Sequence, residues 1–124
     1  MLDHASLGVG DLERALAFYD AVLAPLGAVR VWTHERGAGW GPPGKDDVLA
    51  IFRKDGAAAA GEGTHLAFTA QAPAAVDAFH QAALAHGGRD EGAPGLREKY
   101  GPGYYAAFVR DPDGHRLEAV CHLR

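Results

Sequence analysis

Along this chain the apolar positions first alternate and then turn helical, and they do so twice. Over residues 2–9 they follow the period of two of a half-buried strand. Ala5, Leu7 and Val9 share one face, and His4 and Ser6 take the other. Asp11 is placed to cap a helix, with Arg14 where a capping box would carry Glu. LERALAFYDAVLAPLG then has helical spacing. Leu12, Ala15, Leu16, Tyr19, Val22 and Leu23 line one broad stripe, and Pro25 and Gly27 end it. Residues 28–34 and 48–52 read as strands. Between them, residues 35–45 are rich in Gly and Pro around Trp40, with room for one short strand between two turns. KDGAAAAGEG, residues 54–63, reads as a connector.

After residue 63 the pattern restarts. THLAFTA is a strand with Leu66, Phe68 and Ala70 on one face and His65, Ala67 and Thr69 on the other. PAAVDAFHQAALAHGG is a helix, with Pro73 suited to its first turn and Gly87-Gly88 to its end. A strand is expected near residues 89–92. Residues 93–103 form a Gly/Pro loop holding Arg97, Lys99 and Tyr100. Residues 104–109 and 115–122 make a hairpin around Pro-Asp-Gly, a turn that sets the register of the last strand.

The restart is a repeat. With His4 set over His65, an offset of 61, Ala15 meets Val76, Phe18 meets Phe79, Ala21 meets Ala82, Leu23 meets Leu84 and Gly27 meets Gly88 without a gap. The closing strands align at a larger offset, 68. Leu49 then falls on Leu117 and Ala50 on Glu118, so the second copy has the longer inner loop. Two copies at this period describe a paired-module domain, because a solenoid needs three or more. Module one covers about residues 1–53, the connector 54–63, and module two 64–124.

Composition narrows the setting. At 124 residues, 48% hydrophobic and 23% charged, the chain is expected to form one domain with its own core. Its formal charge is −4 and it has no basic run, which excludes a nucleic-acid surface. Its one cysteine, Cys121, excludes an internal disulfide and reads as a small buried hydrophobe. The N-terminus lacks the basic and apolar regions of a signal peptide. No stretch approaches the ~20 apolar residues of a membrane helix. The expected location is the cytoplasm.

In three strands a polar group stands on the face opposite the apolar one: His4, His65 and Glu118. If a pseudo-two-fold axis relates the modules, the three converge in one cleft. Two imidazoles and one carboxylate are the ligand set of a facial triad, with positions left open to water and substrate. Arg97, Tyr100 and Tyr104 lie in or beside the long loop, where an Arg suits a substrate carboxylate and a Tyr donates or stacks. Trp40 and Phe52 are candidate apolar walls. His115 is expected on the helix side, His80 and His86 on an exposed helix surface, and His34 and His122 near strand ends. GVGDLERA lacks the dinucleotide fingerprint, and no Ser-His-Asp or Cys-His order is legible.

DHASLGVGDLERALAFYDAVLAPLG, GTHLAFTA and YAAFVRDPDGHRLEAV together resemble the vicinal oxygen chelate superfamily of glyoxalases, bleomycin resistance proteins and extradiol dioxygenases. The resemblance implies an α+β fold of two βαβββ modules, with a cupped, mostly antiparallel mixed sheet and helices outside. It implies a divalent metal ion (Fe, Mn, Zn, Ni or Co) on His4, His65 and Glu118, and a homodimer. It implies lyase, isomerase or dioxygenase chemistry on a small substrate with vicinal oxygens, Glu118 being the catalytic carboxylate. Ala50 stands where glyoxalase-like lyases carry a fourth ligand, and the remaining set is closer to that of the dioxygenase branch. The bleomycin-resistance branch offers the alternative, a metal-free protein that binds or sequesters a small molecule.

Overall fold

In the computed structural model, which describes residues 1–123, the first alternating run is strand β1 (Ala5–Val9). Val9 is fully buried, and Ala5 and Leu7 pack against the core. Helix α1 (Leu12–Leu23) starts where Asp11, in extended backbone, accepts the Arg14 N–H at 3.1 Å. It buries Ala15, Phe18, Tyr19, Val22 and Leu23. Phe18 was not in the expected stripe, and Leu12 and Leu16 are only partly buried. The helix packs against a second helix as well as a sheet, so its buried arc is wider than a one-sided stripe. A 3₁₀ turn, Ala24–Leu26, follows, and Gly27 leaves it at φ 86°, a conformation without cost only for glycine.

Strands β2 (Val29–His34), β3 (Gly37–Gly41) and β4 (Leu49–Arg53) complete module one. β3 is the short strand expected within 35–45, and all five of its residues, GAGWG, are buried. Module two contains β5 (Leu66–Thr69), α2 (Pro73–Ala85), β6 (Arg89–Leu96), β7 (Tyr104–Arg110) and β8 (Arg116–His122). β6 takes in residues 93–96, which the pattern assigned to a loop. Its pairing with β7 is interrupted between Asp90 and Gly92 and again between Gly92 and Gly95, so no alternation marks it in the sequence.

The strands form two four-stranded mixed sheets, ordered β1-β4-β3-β2 and β5-β8-β7-β6. In each, the first and last strands of the module pair in parallel and the others antiparallel. The registers reproduce the repeat. Ala5 pairs with Leu49 as Leu66 pairs with Leu117, which gives the offsets of 61 and 68. Trp32 pairs with Gly39 as Gly92 pairs with Phe108, and both edge hairpins bulge at the same place. One detail differs: the left-handed glycine after the second helix is Gly87, at φ 90°, and not Gly88.

Apolar side chains of both sheets and both helices join in one core cluster. The turn Asp111–Gly114 clasps the modules together. Buried Asp111 accepts the Tyr19 hydroxyl at 2.5 Å and, on its other oxygen, the Asp113 and His115 N–H groups. Asp113 accepts the Gly10 N–H at 2.9 Å, and the His115 ring bonds the Gly8 carbonyl oxygen at 2.8 Å. His115 is therefore turned away from the cup, as expected. Burial pushes the Asp111 carboxyl above its usual range, with the Tyr19 hydrogen bond opposing it. Cys121 is buried, as expected.

Candidate active site

Each sheet has one face toward the helices and one open face, here called the cup. Alternation along β8 buries Leu117 and Ala119 toward the helices and turns Glu118 into the cup of module two. The parallel neighbour β5 sets Ala67 beside Glu118, with His65 two residues earlier on the same face. The two meet: His65 Nε2 lies 3.0 Å from Glu118 Oε1. Tyr104, on β7, donates its hydroxyl to the other oxygen, Oε2. Glu118 is 2% exposed. A buried carboxylate is tolerated only when such partners satisfy it. Burial, and then the bond to Glu118, push the Tyr104 phenol up to about 12, so it remains a donor at neutral pH. Tyr100 and Phe108 close a pocket of about 260 Å³ around this pair.

His4 occupies the corresponding place in module one but not the same pocket. It lies in an apolar recess with Leu2, Val48 and Phe68, and its Nδ1 pairs with Asp3 at 2.7 Å. That hydrogen bond raises the imidazole pKa. When neutral His4 donates its Nδ1 proton to Asp3, Nε2 is its ring acceptor, an arrangement common for metal-bound histidine. Ala50, the register counterpart of Glu118, leaves the cup of module one without a carboxylate there. Among the described residues, no three His, Cys, Asp or Glu side chains gather as a metal ion would require. His65 and Glu118 fit two positions of the expected triad. Among the described residues, no third ligand joins them within one chain.

The remaining candidates separate. Trp40 is fully buried on the helix side, donates its Nε1–H to Asp20 and packs on Tyr19. It is a core residue and not a cup wall. Its place in the glycine-rich β3 gave no alternation by which to choose a side. Phe52 does face the cup of module one, near Trp32 and His34. Trp32, not singled out from the sequence, lies flat over Gly39 and donates to Asp47 at 3.1 Å. Tyr100 and Tyr104 line the Glu118 pocket, and Arg97 lies across the ring of Phe108 beside it. His122 meets the edge of Tyr104, His34 stacks on Trp32, His80 pairs with Asp90, and His86 caps α2 through the Ala82 carbonyl. His80 is more buried than an exposed helix histidine.

The family model described as the Glyoxalase/Bleomycin resistance protein/Dioxygenase superfamily matches residues 1–119, and the chain belongs to that superfamily. It is similar to a solved glyoxalase/bleomycin resistance protein from Albidiferax ferrireducens T118, at 35% identity over 99% of each chain with a TM-score of 0.84. A glyoxalase-related enzyme from Fulvimarina pelagi shares its fold at 22% identity, covering 98% of this chain and 87% of the other, with a TM-score of 0.73. So does the genomically encoded fosfomycin resistance protein of Listeria monocytogenes, at 21% identity over 99% and 93%, with a TM-score of 0.71. No curated protein matches the chain significantly. Among the described residues, no helix is long and apolar enough to cross a membrane.

Proposed function

We propose that the protein is a divalent-metal-dependent enzyme acting on a small substrate with neighbouring oxygens, and that its site is completed by a second copy of the chain. The observation that carries this reading is Glu118, a buried carboxylate turned away from the core with one oxygen on an imidazole and the other on a phenol. His65 and Glu118 of one protomer would hold the ion with His4 of its partner, whose Nε2 is free. A bound divalent ion supplies Lewis acidity toward a chelating substrate. The residues do the rest. Tyr104 holds Oε2, which leaves Oε1 to face His65. Phe108 and Tyr100 exclude water from one side of the pocket.

The second copy has a surface to meet. A groove lined by Leu23, Leu26, Ala28, Val48 and Phe68 runs into the recess that holds His4, and Leu2 and Val48 stand exposed along it. Contiguous exposed apolar surface of this kind marks an association site.

Elemental analysis of untagged protein tests the reading. One equivalent of divalent metal per chain is expected in the wild type, and almost none in His65→Ala. Metal-free wild type after supplementation with each of the five candidate ions would overturn it.

A further inference from the structure

The part of module two that has no counterpart in module one carries chemistry of its own. Trp32 and Gly39 pair seven residues apart, whereas Gly92 and Phe108 pair sixteen apart. The nine extra residues lie between Gly92 and Phe108, divided between longer strands and the longer loop 97–103, and bring Arg97, Lys99 and Tyr100 to the cup.

Arg97 is held there. Its Cζ lies 5.5 Å from the centre of the Phe108 ring, and Nη2 donates to the Ala93 carbonyl oxygen at 2.5 Å. Two glycines clear its place. A Cβ at Gly92 would stand 3.2 Å from Nη2, and one at Gly95 3.1 Å from Nη1. Two of the acids nearby are engaged. Asp90 takes His80 and the Gly92 N–H, and Glu91 takes Arg110 and Arg116. Among the described residues neither Arg97 nor Lys99 forms an ion pair. The His80 hydrogen bond and, more weakly, the charge of Arg97 lower the Asp90 pKa, and Glu91 lines the same recess, but neither acid pairs with the guanidinium, so its N–H groups remain a place for an anion from outside.

The recess at Arg97, about 210 Å³, shares Tyr100 and Phe108 with the Glu118 pocket. The two form one cleft with opposite charges at its ends. Glu118 repels an anion and Arg97 attracts it, so an acidic ligand has one favoured orientation.

We infer that the substrate is a small organic acid. Its carboxylate or phosphate sits on Arg97 and Lys99, and an aromatic or unsaturated body lies between Tyr100 and Phe108. Its neighbouring oxygens then point to His65 and Glu118. The inference rests on the reading of that pair as the reaction centre, but its test needs no metal.

Benzoate, phenyl phosphate and the neutral benzamide are titrated into isotope-labelled full-length protein with chelator present, and amide NMR signals are followed. At least one acid is expected to shift Gly92, Gly95 and Arg97 saturably and to bind about tenfold or more tighter than benzamide. Arg97→Gln removes most of that preference, and Arg97→Lys keeps part of it. The better-bound acid identifies the anion. Benzamide binding as tightly as both acids overturns the inference, as does wild-type titration by Arg97→Gln. Absent metal with acid binding intact would sink the metal reading alone.

Discussion

Glu118 is held at three points, and each has a separate consequence. His65 and Tyr104 take its two oxygens, and strand alternation directs it into the cup. Tyr104→Phe leaves the ring and removes only the donor, so Oε2 is freed to rotate. The expected result is an unchanged fold and a metal affinity lower by about 10–100-fold, read by titration calorimetry. Unchanged affinity would remove Tyr104 from the site's support. Asp111 makes a different prediction. Its folded-state pKa is raised by burial, so the native protein binds that proton more tightly than the unfolded chain does. Its contribution is largest below the unfolded value of about 3.9 and is lost as pH rises from there through the folded value. Wild type should therefore lose stability relative to Asp111→Asn across that window, in denaturation at successive pH values. A difference independent of pH would refute the assignment. The acid of the site was legible because one alternating strand carries it. Tyr104 was legible as a cup residue, but nothing in the sequence revealed that its hydroxyl meets Glu118.

At the scale of elements, the strongly patterned segments were readable and the glycine-rich ones were not. β1, α1, β5 and α2 each have an apolar face, and their boundaries fall close to those expected. β3 is glycine and alanine apart from Trp40, and β6 (RDEGAPGL) has no buried residue and no apolar alternation. In β3, three glycines let larger neighbours lie down on the sheet. A Cβ on Gly39 would stand 2.2 Å from Trp32 Nε1 and 2.9 Å from the Asp47 Cβ. Gly39→Ala must displace the indole, and a cost of about 1–3 kcal/mol is expected in chemical denaturation, with a shift in tryptophan emission. A neutral result would mean that Trp32 moves freely. Module two reverses the arrangement. There the large residue, Phe108, is on the inner strand and the glycine, Gly92, on the edge. No alternation in sequence announces either pairing, since a glycine gives no sign of which neighbour covers it.

For the whole molecule, the repeat was readable to the residue along β1, β4, β5 and β8, whose registers return the same offsets, while the edge hairpins are shifted by one residue from them. How the two modules face each other was not readable. Within one chain His4 and the His65–Glu118 pair lie in different pockets, because the helices and the Asp111–Gly114 clasp fix the modules core to core. The proposed homodimer resolves the separation and makes a sharp prediction. His4→Ala and His65→Ala should each fail to bind metal. After mixing, unfolding and refolding together, heterodimers carry one site with both residues intact and one with neither. Metal binding should return in part, up to about half the sites of each heterodimer, by elemental analysis of the refolded mixture. No recovery would place all ligands within one chain. Ala50 also bears on how the two halves differ. Trp32 lies over Gly39, the strand partner of Ala50, and Asp47 pins its indole nitrogen. An acid placed at Ala50 would arrive beside a ring that fills that floor. Rebuilding in module one the carboxylate site of module two therefore takes more than the one substitution at Ala50, because Trp32 must move as well.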